Sequence, residues 1–162
     1  MSPSDDPLRQ QLLTLLESRN AHVDFDTAVG DLRPEARGRR PDELPYSPWE
    51  LLEHIRITQW DILDFCRNPE YEQPDWPDAY WPDGPEPSDE EAWASSIAAY
   101  RRDLEGMKDL VRDPDLDLYA EIPHGDGQTY LREVLLVADH TSYHLGQLVT
   151  VRRQLGAWEP PA

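Results

Sequence analysis

Five of the 162 residues are histidines: His22, His54, His124, His140 and His144. Two of them form H-x-x-x-H, in His140-Thr141-Ser142-Tyr143-His144. Spaced four apart they share one face of a helix, so that two imidazoles can converge on a single ion. The pair by itself is a weak signal, because a shuffled chain with five histidines places some pair at that spacing on the order of one time in eight. Position on the helix adds to it. With Val134 at zero and about 100° per residue, Val134, Ala138, Thr141 and Leu145 mark an apolar centre, and His144 and His140 lie about 80° and 120° to one side. His54 lies about 60° from the apolar stripe that begins at Leu51 in an earlier segment. Three imidazoles at the core borders of two helices can meet across their interface. Three neutral nitrogens with open positions suit Zn²⁺, Ni²⁺ or another divalent ion, the open positions taking water or substrate. Each histidine can equally be a satisfied border or surface residue. His22 is read that way, and His124, in the loop His124-Gly125-Asp126-Gly127, has no assigned role.

Two other metal chemistries are excluded. A zinc-protease helix needs glutamate as general base directly after the first histidine, and Thr141 stands there. The only Glu-x-x-His match to a carboxylate-bridged di-iron bundle, Glu121 to His124, is interrupted by Pro123. A mononuclear site remains. A tri-imidazole ion can lower the pKa of a bound water or bind and deprotonate a thiol. By adjacency on the last helix, Gln147, Tyr143, Asp139 and Glu133 are the candidates to orient the histidines, with a solvated surface at least as natural for Glu133 and Asp139. A basic cluster, Arg33, Arg37, Arg39 and Arg40, can meet an anionic substrate near His54, although a solvated loop balancing nearby carboxylates is the commoner use. Cys66 lies twelve residues beyond His54, about 18 Å along a helix, and is read as core.

The elements that must position these residues are marked by the sixteen prolines. Long proline-free stretches run from Leu8 to Arg33, Trp49 to Asn68, Ser88 to Asp113 and His124 to Glu159. Each begins with a capping signal: Asp6 before Pro7, Ser47 before Pro48 with Glu50 completing a capping box, Ser88 with Glu91, and Thr129. Apolar residues follow at helical spacing. The third stretch carries Trp93, Ile97, Tyr100, Leu104, Met107 and Val111. The second carries Leu51, Ile55, Ile62 and Cys66, and the fourth carries Val134, Ala138, Thr141, Leu145, Leu148 and Val149. The first, with Leu8, Leu12, Leu15, Leu16, Arg19 and Val23, weakens towards Val29. Four amphipathic helices predict an all-α protein, most simply a four-helix bundle. The link from Asn68 to Pro87 is long enough to run the length of a helix of about 30 Å, so a crossover between the second and third helices is open to it. Tyr71, Trp76, Tyr80 and Trp81 within the link predict that it packs onto the helices.

Composition limits the partners. A formal net charge of −18 repels phosphate backbones and anionic lipid surfaces, so nucleic acid and membranes are not expected partners. No apolar run approaches a membrane span, Met1–Arg9 carries no signal-peptide pattern, and the one cysteine cannot pair within the chain, so a cytoplasmic location is expected. The length suits one domain spanning residues 1–162, its core built from few positions by six Trp and seven Tyr.

The segment Leu44-Pro45-Tyr46-Ser47-Pro48-Trp49-Glu50-Leu51-Leu52-Glu53-His54-Ile55-Arg56, then Gln59-Trp60-Asp61-Ile62-Leu63, with His140-Thr141-Ser142-Tyr143-His144-Leu145-Gly146-Gln147, resembles the DinB-like (YfiT-like) superfamily. The resemblance runs from about Leu8 to Trp158. It implies a four-helix bundle with a long crossover between helices 2 and 3, and a nickel or zinc ion on His54, His140 and His144. It further implies a metal-dependent enzyme on a small molecule, a hydrolase or a transferase using a low-molecular-weight thiol. The alternative is a non-catalytic bundle whose metal site serves stability or small-ligand binding, with a homodimer open in either case. The family name implies no DNA binding, in keeping with the acidic charge.

Overall fold

The computed structural model describes residues 6–17 and 21–159, and these are all-helical. Six α-helices follow in order: α1 (Pro7–Leu16), α2 (Phe25–Val29), α3 (Pro34–Arg37), α4 (Pro48–Arg67), α5 (Glu90–Arg112) and α6 (Tyr130–Gln154), with a 3-10 turn at Asp78–Tyr80. One isolated antiparallel bridge, Glu121 with Thr129, is the only β pairing among the described residues. None of the described helices is long and apolar enough to cross a membrane.

The caps explain the boundaries. Asp6 accepts from the Leu8 amide and Thr129 from the Arg132 amide. Ser47 and Glu50 form the reciprocal capping box at the start of α4. At α5 the expected Ser88–Glu91 box is replaced by Asp89, whose carboxylate accepts from the Ala92 amide at 2.7 Å. A charged acceptor against the positive end of the helix outcompetes a hydroxyl one residue earlier. The first proline-free stretch is not one helix. α1 ends at Leu16, Asp24 in an extended conformation caps a new helix at the Thr27 amide, and Pro34 opens a third. Leu12 and Leu16 are buried as the stripe predicts, whereas Leu15 is exposed and Arg19 lies outside the described residues.

α4 packs against α5 and α6, and α1 packs against the same two. Contacts between α4 and α5 rise together along both helices: Ser96 hydroxyl to Glu53, Gln59 amide to the Tyr100 carbonyl, Arg67 guanidinium to the Gly106 carbonyl. The buried apolar residues form two clusters. One gathers Phe25, Trp49, Leu51, Leu52, Ile55, Trp93, Tyr100, Leu145 and Leu148. The other gathers Leu12, Leu16, Ile62, Leu63, Met107, Val111, Val134 and Val137. Along α6 the stretch between the two clusters holds His140, Thr141 and His144; along α4 it holds Gln59, while His54 stands within the first cluster between Leu52 and Ile55. Cys66 is buried, as expected.

The link between α4 and α5 packs on the helices through most of its aromatic residues. Tyr71 and Tyr80 both donate to the buried Asp61 carboxylate, at 2.8 and 2.7 Å, and Ser47 donates to the Pro85 carbonyl. Trp81 stacks between Tyr46 and His54. Trp76 is the exception, 68% exposed with its ring edge-on to Tyr80.

Ser47 thus serves the start of α4 and the end of the link at once. Replacing it by alanine, Ser47→Ala, is expected to cost about 1 kcal/mol, the usual effect of losing a cap. Urea unfolding checks this; an unchanged midpoint at unchanged slope would show that the capping box contributes nothing.

Candidate metal centre

His54 comes from the second turn of α4, and its position is fixed by the capped start of that helix. His140 and His144 come from the middle of α6, where the four-residue step stacks them on one face. The three rings meet edge to face or tilted, with centroids 4.4 to 4.8 Å apart. One nitrogen from each lies within 4.8 Å of the others. His54 and His144 are buried and His140 partly so.

Hydrogen bonds set the tautomers. His54 Nδ1 lies 2.8 Å from the Tyr80 carbonyl and His144 Nδ1 lies 2.6 Å from Gln147 Oε1. A carbonyl oxygen only accepts, so both Nδ1 atoms carry the proton and both Nε2 lone pairs are left free. His140 Nε2 stands 3.1 Å from His54 Nε2, where it donates to that lone pair while no ion is bound. Burial pushes all three imidazoles below their ordinary value. His140 falls to about 3 and His144 to about 4, and each is further depressed by the neighbouring histidines. For His54 burial outweighs the opposing pull of the Tyr80 carbonyl. Trp81 lies flat on His54, 3.9 Å between centroids and 1° between planes, closing that side to water.

This donor set fits a divalent ion. Imidazole nitrogens bound to one Zn²⁺ at about 2.0–2.1 Å stand roughly 3.3 Å apart, which the His54–His140 pair meets without movement. The wider pairs have at most about 1.5 Å to close.

The other sequence candidates separate clearly. Gln147 holds His144, and Tyr143, 65% exposed, packs its ring edge-on against His144 at 4.9 Å. Asp139 is exposed and hydrogen-bonds to none of the three histidines. Glu133 is neither at the cluster nor solvated. It is buried near Cys66, whose thiol burial and this carboxylate together push up to about 12, and it pairs with Arg132. The helical face it shares with His140 runs two turns away into the second apolar cluster. His124 Nε2 donates to the Phe65 carbonyl at the far end of α4, and His22 contacts Ser142 and the Val23 carbonyl. Of the basic cluster, Arg40 forks onto Glu50 and Arg37 reaches the Leu32 carbonyl, Glu90 and the face of Trp93, while Arg33 pairs with Glu35 and Arg39 is exposed. Arg37 and Arg40 therefore anchor the segment before α4, and Arg33 and Arg39 lie at its surface. Sequence reasoning missed the Tyr80 carbonyl and the Asp61 carboxylate behind it. A backbone carbonyl carries no sequence signal, but an aspartate directly before Ile62 and one helical turn before Phe65 is one that could have been questioned.

Fold and site together describe an all-helical protein with a buried, uncharged three-histidine cluster able to hold one ion. A family model of the DinB superfamily matches residues 14–148, and the chain belongs to that superfamily. No curated protein and no solved structure matches the chain.

The depressed histidines make ion-free stability depend on acid. Unfolded histidines protonate near 6.5, whereas the folded His144 and His140 stay neutral until about 4 and 3. Their contribution is complete above pH 6.5 and is lost as the pH falls from there towards the folded values. In chelator-treated protein the ring-proton NMR signals of His140 and His144 should not titrate between pH 8 and 5; midpoints near 6.5 would overturn this account.

Proposed function

We propose that His54, His140 and His144 hold a single divalent ion, nickel or zinc, and that the protein uses it to transform a small molecule by hydrolysis or by transfer involving a thiol. The observation that carries this reading is the convergence of three neutral imidazoles, two with their Nδ1 protons already committed to acceptors. Oriented in this way, such ligands need little reorganisation on binding. An ion on three imidazoles supplies Lewis acidity and lowers the pKa of a bound water or thiol towards neutrality.

The chain's own residues do the rest. The Tyr80 carbonyl and Gln147 keep two imidazoles in the ligating tautomer, and Trp81 excludes water from one side of His54. We read the frame as the bundle of the superfamily, made of α1, α4, α5 and α6. The rising order of contacts between α4 and α5 supports a long crossover through residues 68–89, because helices running the same way cannot be joined by a tight turn. A small uncharged site in a strongly acidic chain favours a small-molecule substrate over nucleic acid.

A second reading, an ion that serves stability alone, is favoured by the place of the histidines on two packed helices, where an ion would clamp α4 to α6. The two separate on one comparison, since a structural ion contributes its binding free energy to folding. If chelation leaves the unfolding midpoint unchanged, the structural role fails.

Protein purified without a nickel column and stripped with chelator should take up one divalent ion per chain in competition with a chromogenic chelator. His54→Ala should weaken that binding more than about 100-fold, and Gln147→Ala by about 10–100-fold, as expected for a ligand and for its orienting partner. Wild-type protein that binds no ion, or a His54→Ala variant that binds like wild type, would sink the proposal.

A further inference from the structure

We propose that the groove beside the histidine cluster is the seat for an uncharged aromatic portion of the small molecule on which the centre acts. The inference rests on the metal reading for the reacting end of that molecule and on the groove's own lining for the other end. The groove has a volume of about 450 Å³ and lies between the segment Leu44-Pro45-Tyr46 and the α6 face that carries Tyr143, Gly146 and Gln147. That is within the range of about 300–1,000 Å³ usual for small-molecule sites.

Its chemistry is set by what it lacks. No charged side chain lines it, in a chain where 30% of residues are charged. An ionised substituent placed there would lose water and find no partner, whereas an apolar one loses nothing. Two tyrosine rings, Tyr46 and Tyr143, offer the edges and faces that an aromatic ring packs against in offset or T-shaped geometry. A glycine, Gly146, stands on the α6 wall of the groove. A Cβ on Gly146 would meet no atom within 4 Å, so this position of α6 is open space that a larger residue would fill without clash.

The groove is joined to the histidines at two points. Gln147 lines it and accepts from His144 Nδ1. Tyr46 lines it and stacks on Trp81 at 4.7 Å, and Trp81 stacks on His54. A ring in the groove is therefore one side chain away from His144 and two from His54, a spacing suited to a molecule that carries its polar reacting group beside an aromatic body.

Two hydroxamates test this, since they share a metal-chelating head and differ only in a phenyl or a methyl group. Nickel- or zinc-loaded protein should bind benzohydroxamate at least about tenfold more tightly than acetohydroxamate. Gly146→Leu should abolish that difference while acetohydroxamate still binds, with ion stoichiometry as the check that the site is intact. A metal-free arm uses p-cresol on chelator-treated protein, which should shift the amide NMR signals of Gly146 and Thr150 in wild type and leave that of Thr150 unmoved in the G146L variant. Equal affinity for the two hydroxamates in loaded wild-type protein overturns the groove assignment and leaves the metal reading standing. Failure to bind any ion, with the p-cresol shifts present in wild type and lost in G146L, overturns the metal reading and leaves the groove standing. Absence of both signals overturns both.

Discussion

Three imidazoles packed into a protein interior have to remain uncharged, and an uncharged imidazole still carries one N–H that must find an acceptor. Much of the molecule around the cluster follows from that requirement. His144 meets it within its own helix through Gln147. His54 cannot, because Ile57 stands at the same three-residue step and offers no acceptor, so its acceptor is brought from elsewhere in the chain. The Tyr80 carbonyl is that acceptor, and for it to be useful the link between α4 and α5 must be held still. Asp61 does so by accepting from Tyr80 and Tyr71, both of whose hydroxyls are pushed well above the ordinary tyrosine range by burial and by this carboxylate. Ser47 ties down the far end of the same link at Pro85.

The buried charges elsewhere obey the same rule of provision. Glu53 has Arg56 and the Ser96 hydroxyl, Glu50 has Arg40 and the Ser47 amide, and Glu133 has Arg132. Arg152, whose pKa burial lowers, is satisfied by the carbonyls of Ala28 and Ala157 and lies over Trp158. These bonds do little for net stability, since removing charges from water costs about what their pairing returns. They fix which residue of one helix faces which residue of the next, and a three-ligand site depends on that register.

Much of this was legible in the sequence where the signal is periodic or local. The stripes of α4 and α6 are buried as spaced, that of α5 is buried except at Ile97 and Leu104, which are partly so, and Asp6, Ser47 and Thr129 cap as expected, because capping and amphipathicity depend only on near neighbours. The pair His140 and His144 could be read from its four-residue step and His54 from its place on the stripe. The failures have physical reasons too. Leu8 to Arg33 has helical spacing, but α1 ends at Leu16 and Asp24 starts a separate helix, its carboxylate accepting from the Thr27 amide. Ser88 lost its place to Asp89 by one residue. Glu133 was placed by helical face alone, and a face does not say how far along the helix axis a partner sits. The Tyr80 carbonyl was invisible because it belongs to the backbone.

All three imidazoles of the cluster are neutral, so an ion seated there would keep its full double positive charge in a setting of low polarity. Nothing in the immediate shell cancels it. The compensation has to come from a distance, from the carboxylates that give the chain its charge of −18. The acidic surface would then act as the counter-charge of such an ion, drawing divalent cations towards a cluster that by itself has no electrostatic pull. On that view the occupancy of the centre is tied to ionic strength, because dissolved salt screens the far carboxylates while leaving the imidazoles untouched.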